Sequence, residues 1–393
     1  MDKNKTYIII LVSFISLFLI QSYIPIIIET IGFSGSSDFQ WGPSKCVFNG
    51  INHYRAFVNE DKSCVIFMTQ FGDYLHTFYI ILYPFTLLNW EIAKIFWLLL
   101  NLFFLFYIIY LISKKLIFNI FEKIITFFFI FFCITTKINF IMGQQALFTL
   151  FFLLLPFFKE SKKNYFLAGL CYLKYNIGYA LFLYLFISRK IKYLLISILP
   201  VIFGWIIYAD ITNTPILTNL IDPILLLLKN FKILNELNHI FIGSIFINLT
   251  DNYYLNIIII LIFILIFNLF FLIKISNIQN DIEKLSLISV LILISFPHWS
   301  HDYIILIPLF MISLKNFSLN MIHKFNFLIS IYFLHLHKVV LNYTAKVFEI
   351  LNFNENSVII LGNIYPYLNI FLLMACLVMN LWSDKLNKFS NKI

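Results

Sequence analysis

Four short polar groups interrupt an otherwise apolar chain, and each carries side chains able to do chemistry. The first is Ser36-Ser37-Asp38-Phe39-Gln40, followed by Trp41 and then by Gly50-Ile51-Asn52-His53-Tyr54. A loop aspartate is ordinarily a solvated charge. At a membrane edge, beside aromatic and small residues that can shape a pocket, Asp38 is also placed to act as a base, with Tyr54 among the residues that would bind substrate. The second group, Gly143-Gln144-Gln145, opens an apolar run. It reads either as a helix cap or as amides that donate hydrogen bonds to a sugar or phosphate, Gln144 foremost.

Lys174 is the third, alone in the middle of the run 164 to 188, where snorkelling to an interface is difficult. A buried ammonium requires an anionic partner, and a phosphate, Asp38 or another carboxylate would each serve. The fourth is Phe296-Pro297-His298-Trp299-Ser300-His301-Asp302-Tyr303. A plain turn explains it, but two histidines, an aspartate and two aromatics also suit substrate binding, since imidazole can hydrogen-bond a phosphate or relay a proton near neutral pH. Zinc is the weaker expectation, because the spacing matches no strong metal pattern and His335 and His337 lie on a separate segment. No metal or cofactor is expected.

The elements that must position these groups are membrane helices. Of 393 residues 61% are hydrophobic and only 12% charged, against about 25% charged in soluble domains. Runs long enough to cross a hydrocarbon core, roughly 20 helical residues, recur from one end of the sequence to the other. The expected fold is all-α: one integral membrane domain over residues 1–393, a polytopic transmembrane bundle of about 11 to 13 segments, some broken or re-entrant. The formal net charge of +9 resides in lysines of short loops, where its role is topological, so nucleic acid is excluded as a partner and membrane lipid is expected. The run that follows Lys3 and Lys5 continues to about residue 28 without a small-residue cleavage site, and reads as a retained anchor. Cys133, Cys171 and Cys376 lie in apolar runs as small core residues; Cys46 and Cys64 share the first polar loop, where a disulfide is open to them in an oxidising compartment.

Positive residues in short loops stay cytoplasmic. Placing Lys114/Lys115/Lys123, Lys159/Lys162/Lys163, Arg189/Lys190/Lys192, Lys274/Lys284, Lys315/Lys324 and both termini inside requires that segments 77 to 89 and 164 to 188 each enter and leave on one side. Tyr83-Pro84 breaks the first, and Lys174-Tyr175-Asn176 with Gly178 breaks the second. Long loops at about 29–76 and 210–253 then face outward, the latter with apolar stretches suited to the interface, and the polar groups gather at the periplasmic or exterior face of the cell inner (plasma) membrane.

The chain has no GxxxxGK[ST] loop, no GxGxxG, no HExxH, no GxSxG and no DxD, so no nucleotide-sugar site is visible. The order of the four groups resembles glycosyltransferase family 87, of the GT-C superfamily. Asp38-Phe39 with Gly50-Ile51-Asn52-His53-Tyr54 is similar to that family's first-loop aspartate and Gly-x-x-Pro-Tyr, with His53 at the proline. Tyr83-Pro84 through Asn89, and Ala93 to Trp97, resemble its next stretch; Gly143-Gln144 matches its Gly-Gln; Ala168-Gly169-Leu170 to Lys174 matches its Ala-Gly-Leu…Lys-Pro, with Tyr175 replacing proline; and His301 falls in register with its Ser-Pro-x-Ser-Trp-x-His-His. The resemblance implies a GT-C-type membrane hexosyltransferase, mannosyltransferase-like, that uses a polyprenyl-phosphate sugar donor and a glycan or glycolipid acceptor. In an inverting transfer Asp38 would be the general base, and Gln144, Lys174, His298, His301 and Tyr54 would bind substrate. The competing expectation is a transporter or flippase of lipid-linked saccharides; such a path needs polar groups at several depths and inverted repeats, whereas here no repeat is seen and the polar groups cluster near one face.

Overall fold

The structure, a computed structural model, describes residues 39–59, 74–236, 241–243, 250, 253–337, 365 and 367–382. Asp38, the apolar run at 6 to 28 and Cys64 lie outside the described residues. Among those described, every element is helical. Four short helices, α1 (Trp41–Phe48), α2 (His53–Val58), α3 (His76–Ile81) and α4 (Tyr83–Thr86), precede the long α5 (Trp90–Lys115). Then come α6 (Ile120–Phe131), α7 (Ile134–Ile141), α8 (Ala146–Phe158) and α9 (Lys162–Ala168), a 3-10 turn over Gly169–Leu173, α10 (Tyr175–Ile187), α11 (Ile191–Ile211), α12 (Ile216–Glu236) and α13 (Tyr253–Ile275). The chain continues through α14 (Asp281–Ser295), a 3-10 turn over Ser300–Leu306, α15 (Ile307–Lys315) and α16 (Met321–Ile331), which runs into a π turn, and α17 (Tyr367–Trp382).

Among the described residues α5, α11 and α13 are long and apolar enough to cross a membrane, and α6 with α7, bent by 53° at Cys133, makes a fourth if counted as one span. The remaining apolar runs fold as shorter helices, because Pro, Gly and polar residues cut them. Helix starts carry side-chain caps where the sequence supplies Asn or Ser: Asn89 accepts from the Ile92 N–H, Ser161 from Asn164, and Asn119 with Glu122 closes a capping box on α6. The exposed sides of α5, α11 and α13 are apolar, with Phe103, Phe203 and Leu265 each more than half exposed, as a lipid-facing surface requires. By contrast α14 is buried on every side from Lys284 to Ser295, as a mainly apolar helix inside a bundle is. It packs against α10, α13 and α15 and carries the Phe296–Tyr303 turn at its end.

The run 164 to 188 is broken in two. Lys190, just past α10, pairs with Glu160, just before α9, at 3.1 Å, and Tyr165 stacks on Tyr193 at 4.1 Å. Both ends of the α9–α10 hairpin therefore lie together, and the 3-10 turn and Lys174 form its apex. Two glycines permit the fold-back. A Cβ on Gly169 would sit 1.9 Å from the Ser197 carbonyl oxygen of α11, and one on Gly178 would sit 2.1 Å from the Cys171 carbonyl oxygen. Both obstacles are backbone and cannot rotate away, so Gly169→Ala is expected to lower stability by about 1–3 kcal/mol, the usual cost of overpacking. Thermal unfolding in detergent measures it, and an unchanged transition would mean that α11 is free to withdraw.

At the lysine-rich end Lys315 donates to the Ile117 carbonyl and to Glu122, closing α15 onto the α5–α6 corner. The helix that follows the 141–145 turn, α8, packs against the 3-10 turn of the hairpin apex. Cys133, Cys171 and Cys376 are free and buried; Cys46 is in a disulfide whose partner lies outside the described residues.

Candidate active site

The apex of the α9–α10 hairpin meets the turn between α14 and α15. Lys174 Nζ lies 2.7 Å from Asp302 Oδ1, with side-chain exposures of 8% and 0%. The other carboxylate oxygen accepts from the Trp299 N–H at 3.0 Å and from the Asn176 side-chain amide at 3.3 Å. His301 Nε2 lies 3.5 Å from Asp302 Oδ1. Burial by itself would raise the Asp302 carboxyl, but the neighbouring charge of Lys174, and then of His301, holds it well below the usual carboxylate range. Lys174 thus has an anion among the described residues: Asp302, another carboxylate of the kind the sequence left open to it.

The adjoining turn is tied in by amides. Asn139 donates to the His301 carbonyl at 2.9 Å and accepts, through its own carbonyl, from the Gln144 N–H at 2.9 Å. Gln144 is buried at the mouth of α8, and Gln145 beside it accepts from the Tyr74 hydroxyl, while the Gln145 side-chain nitrogen is buried without a partner among the described residues. His298 is also buried. Its Nδ1 lies 3.1 Å from the Phe296 carbonyl and its Nε2 has no partner among the described residues, with burial pulling the imidazole below its ordinary range. Buried polar atoms left unpaired in this way are costly unless something else bonds them. Both belong to the two turns that Asn139 ties together. No three His, Cys, Asp or Glu side chains come together as a metal site among the described residues; His335 is instead bonded to the Phe129 carbonyl.

Tyr54 belongs to a neighbouring group. It is fully buried, its hydroxyl donates to the Tyr74 carbonyl, and its ring packs among His53, His76, Tyr79 and Tyr208. Around it Asn52 donates to Asp222 at 2.7 Å, Arg55 pairs with Asp222 at 3.0 Å, and the Tyr208 hydroxyl lies 2.9 Å from His53 Nδ1. Tyr74 joins the two groups, since its hydroxyl reaches Gln145 while the next residue, Leu75, donates to the Leu173 carbonyl beside Lys174. Asp38 lies outside the described residues. Phe39 is buried flat against Trp97 at 4.9 Å, and the Trp97 indole donates to the Gly143 carbonyl at 2.9 Å.

Lys174 and His301 are therefore brought together on Asp302, the Gln144 main chain is tied to the His301 turn through Asn139, His298 lies on that same turn, and Tyr54 is linked through Tyr74. Sequence reasoning passed over Asn139 and Asp222, and gave Asp302 no pairing role and Asn176 no part beyond breaking the run. Asn139 had a signal, as an amide inside an apolar run. Asp222 had none, being one acid in a long loop.

No curated protein and no solved structure matches the chain. A family model does match, over a stretch that begins at Tyr74 and holds Gln144 and Lys174 but stops short of His298 and His301. That match, over residues 74–209, is with glycosyltransferase family 87, and it makes this apolar, all-helical chain similar to membrane glycosyltransferases.

Proposed function

We propose that the protein is a membrane glycosyltransferase that moves a hexose, mannose-like, from a polyprenyl-phosphate donor to an extracytoplasmic lipid or glycan acceptor with inversion. The observation that carries this is the meeting of Lys174 and His301 on Asp302, with the Gln144 main chain tied to the same turn through Asn139, Gln144 and Lys174 both lying within the stretch that matches the family. In such a displacement a carboxylate takes the proton of the acceptor hydroxyl as the sugar–phosphate bond breaks. Asp38 is the base in this reading. It is one peptide bond from Phe39, whose ring is fixed through Trp97 to Gly143, the residue before Gln144.

The phosphate that leaves gains negative charge, and donors placed in a low-dielectric site stabilise that change most. His301 and the free edge of His298 supply such donors when protonated, and the Gln144 and Gln145 amides supply them at any pH. Lys174 acts with Asp302 as a neutral pair that fixes the His301 turn, so its share in phosphate binding is what the ammonium offers beyond that pair.

Membranes that contain the protein, given radiolabelled polyprenyl-phosphate hexose, should pass label to an acceptor, whereas membranes without it should not. Transfer from a sugar nucleotide with no lipid intermediate would overturn the donor assignment. Lipid-linked sugar that crosses the bilayer with no new glycosidic product would replace the transferase by a transporter.

A further inference from the structure

At the lysine-rich end, beside the contact of Lys315 with Ile117 and Glu122, α5 and α6 leave a cleft of about 510 Å³. Its wall is apolar: Phe106, 47% exposed, stacks flat on Phe127 at 5.2 Å, and Tyr110 continues the surface one turn on. Its mouth is cationic. Lys114 and Lys123 both line it, both are exposed, and among the described residues neither forms an ion pair. The nearest acid in sequence, Glu122, is committed elsewhere, to Lys315 at 3.2 Å and to the Asn119 N–H at 2.7 Å. Between mouth and wall lies Ser113, 2% exposed, whose hydroxyl has no partner among the described residues.

We infer that this cleft is a binding site for one anionic phospholipid of the adjoining leaflet. The phosphate would sit between the Lys114 and Lys123 ammonium groups and accept from the Ser113 hydroxyl, and one acyl chain would lie along Phe106, Tyr110 and Phe127. Each part of the cleft selects a part of that ligand. A soluble anion has no use for the aromatic wall. A zwitterionic lipid fills the wall equally well but brings no net charge to two lysines that lack an acid, and basic clefts between membrane helices at the positive end of a bundle suit anionic head groups. The site does not depend on which sugar, if any, the protein transfers.

Native mass spectrometry of the intact protein in a neutral detergent tests this, with dioleoylphosphatidylglycerol, dioleoylphosphatidylcholine and inorganic phosphate as the probes. Phosphatidylglycerol should be retained by the wild type in preference to phosphatidylcholine, and millimolar phosphate should not displace it. Lys114→Gln combined with Lys123→Gln should weaken its retention about 25-fold, a factor of about 5 for each lysine at a membrane surface. Both residues are exposed, so the double variant should fold. Lys115→Gln, exposed at the same end but not lining the cleft, should bind as the wild type does. Equal retention of phosphatidylglycerol by the double variant, equal retention of phosphatidylcholine by the wild type, or displacement by inorganic phosphate would each overturn the assignment.

Discussion

Replacement of Asp38 by asparagine is expected to reduce glycosyl transfer by two orders of magnitude or more while expression and donor binding stay close to wild type. Asparagine keeps the shape of aspartate but cannot take a proton. General acid–base catalysis usually supplies about 10²- to 10⁴-fold, and its loss should appear in kcat more than in KM, since the acceptor and donor contacts remain. The experiment is a comparison of initial rates with labelled polyprenyl-phosphate hexose. An Asp38→Asn protein that transfers sugar at the wild-type rate would remove Asp38 from the mechanism, and the base would have to be sought elsewhere on the outer face.

Lys174→Met is expected to act first on stability. With the ammonium gone, Asp302 keeps the Trp299 N–H, the Asn176 amide and, at 3.5 Å, His301 Nε2 for a carboxylate that is 0% exposed. Removing one partner of a buried pair typically costs about 3–5 kcal/mol, because the other charge is left without compensation. Thermal unfolding in detergent should show that loss. The double variant Lys174→Met, Asp302→Asn should recover most of it, since the orphaned charge is removed as well, and the difference from the sum of the two single variants measures the coupling. If Lys174→Met unfolds with the wild type and the double variant gains nothing, the pair does not hold the hairpin apex to the α14–α15 turn. Activity measured on the double variant then separates the two parts Lys174 could play: a folded protein that still fails to bind donor lacks a phosphate contact, whereas one that transfers normally needed the lysine only for its structure.

Much of the architecture was open to reading in the sequence because its causes are local. Charge-poor apolar runs require helices in lipid, so the all-helical membrane character follows from composition and run length. The break at Lys174 was legible for the same reason. A lysine in the middle of an apolar run, followed by Asn176 and Gly178, cannot continue as an uncharged span, and the structure puts a 3-10 turn and a change of direction there. The polar groups around Gln144 and His301 were also visible, since each departs from its surroundings within a few residues. The number of spans was less legible. Hydropathy windows respond to apolar content, while the shorter helices α8, α9 and α10 are set by where Gly, Pro and polar residues let the chain turn back on its neighbours.

Tertiary structure alone decided which polar residues meet. Asn176 reaches Asp302 across 126 positions, and Asn52 reaches Asp222 across 170. No pattern in the sequence links either pair, because each contact exists only after several helices have packed. Lys174 illustrates the division. Its own position required an anion, which the cost of an unpaired buried charge dictates, but phosphate, Asp38 and another carboxylate met that requirement equally well until the α14–α15 turn was folded against the apex. The α12 helix shows the same thing in reverse. Its apolar residues, read as an interfacial stretch, are exposed at Leu217, Leu220 and Ile224, while Asn219 and Asp222 turn inward to Asn52 and Arg55. Sequence determines what each segment must bury or pair, since that depends on the segment's own chemistry; the partner depends on packing between segments that are remote along the chain.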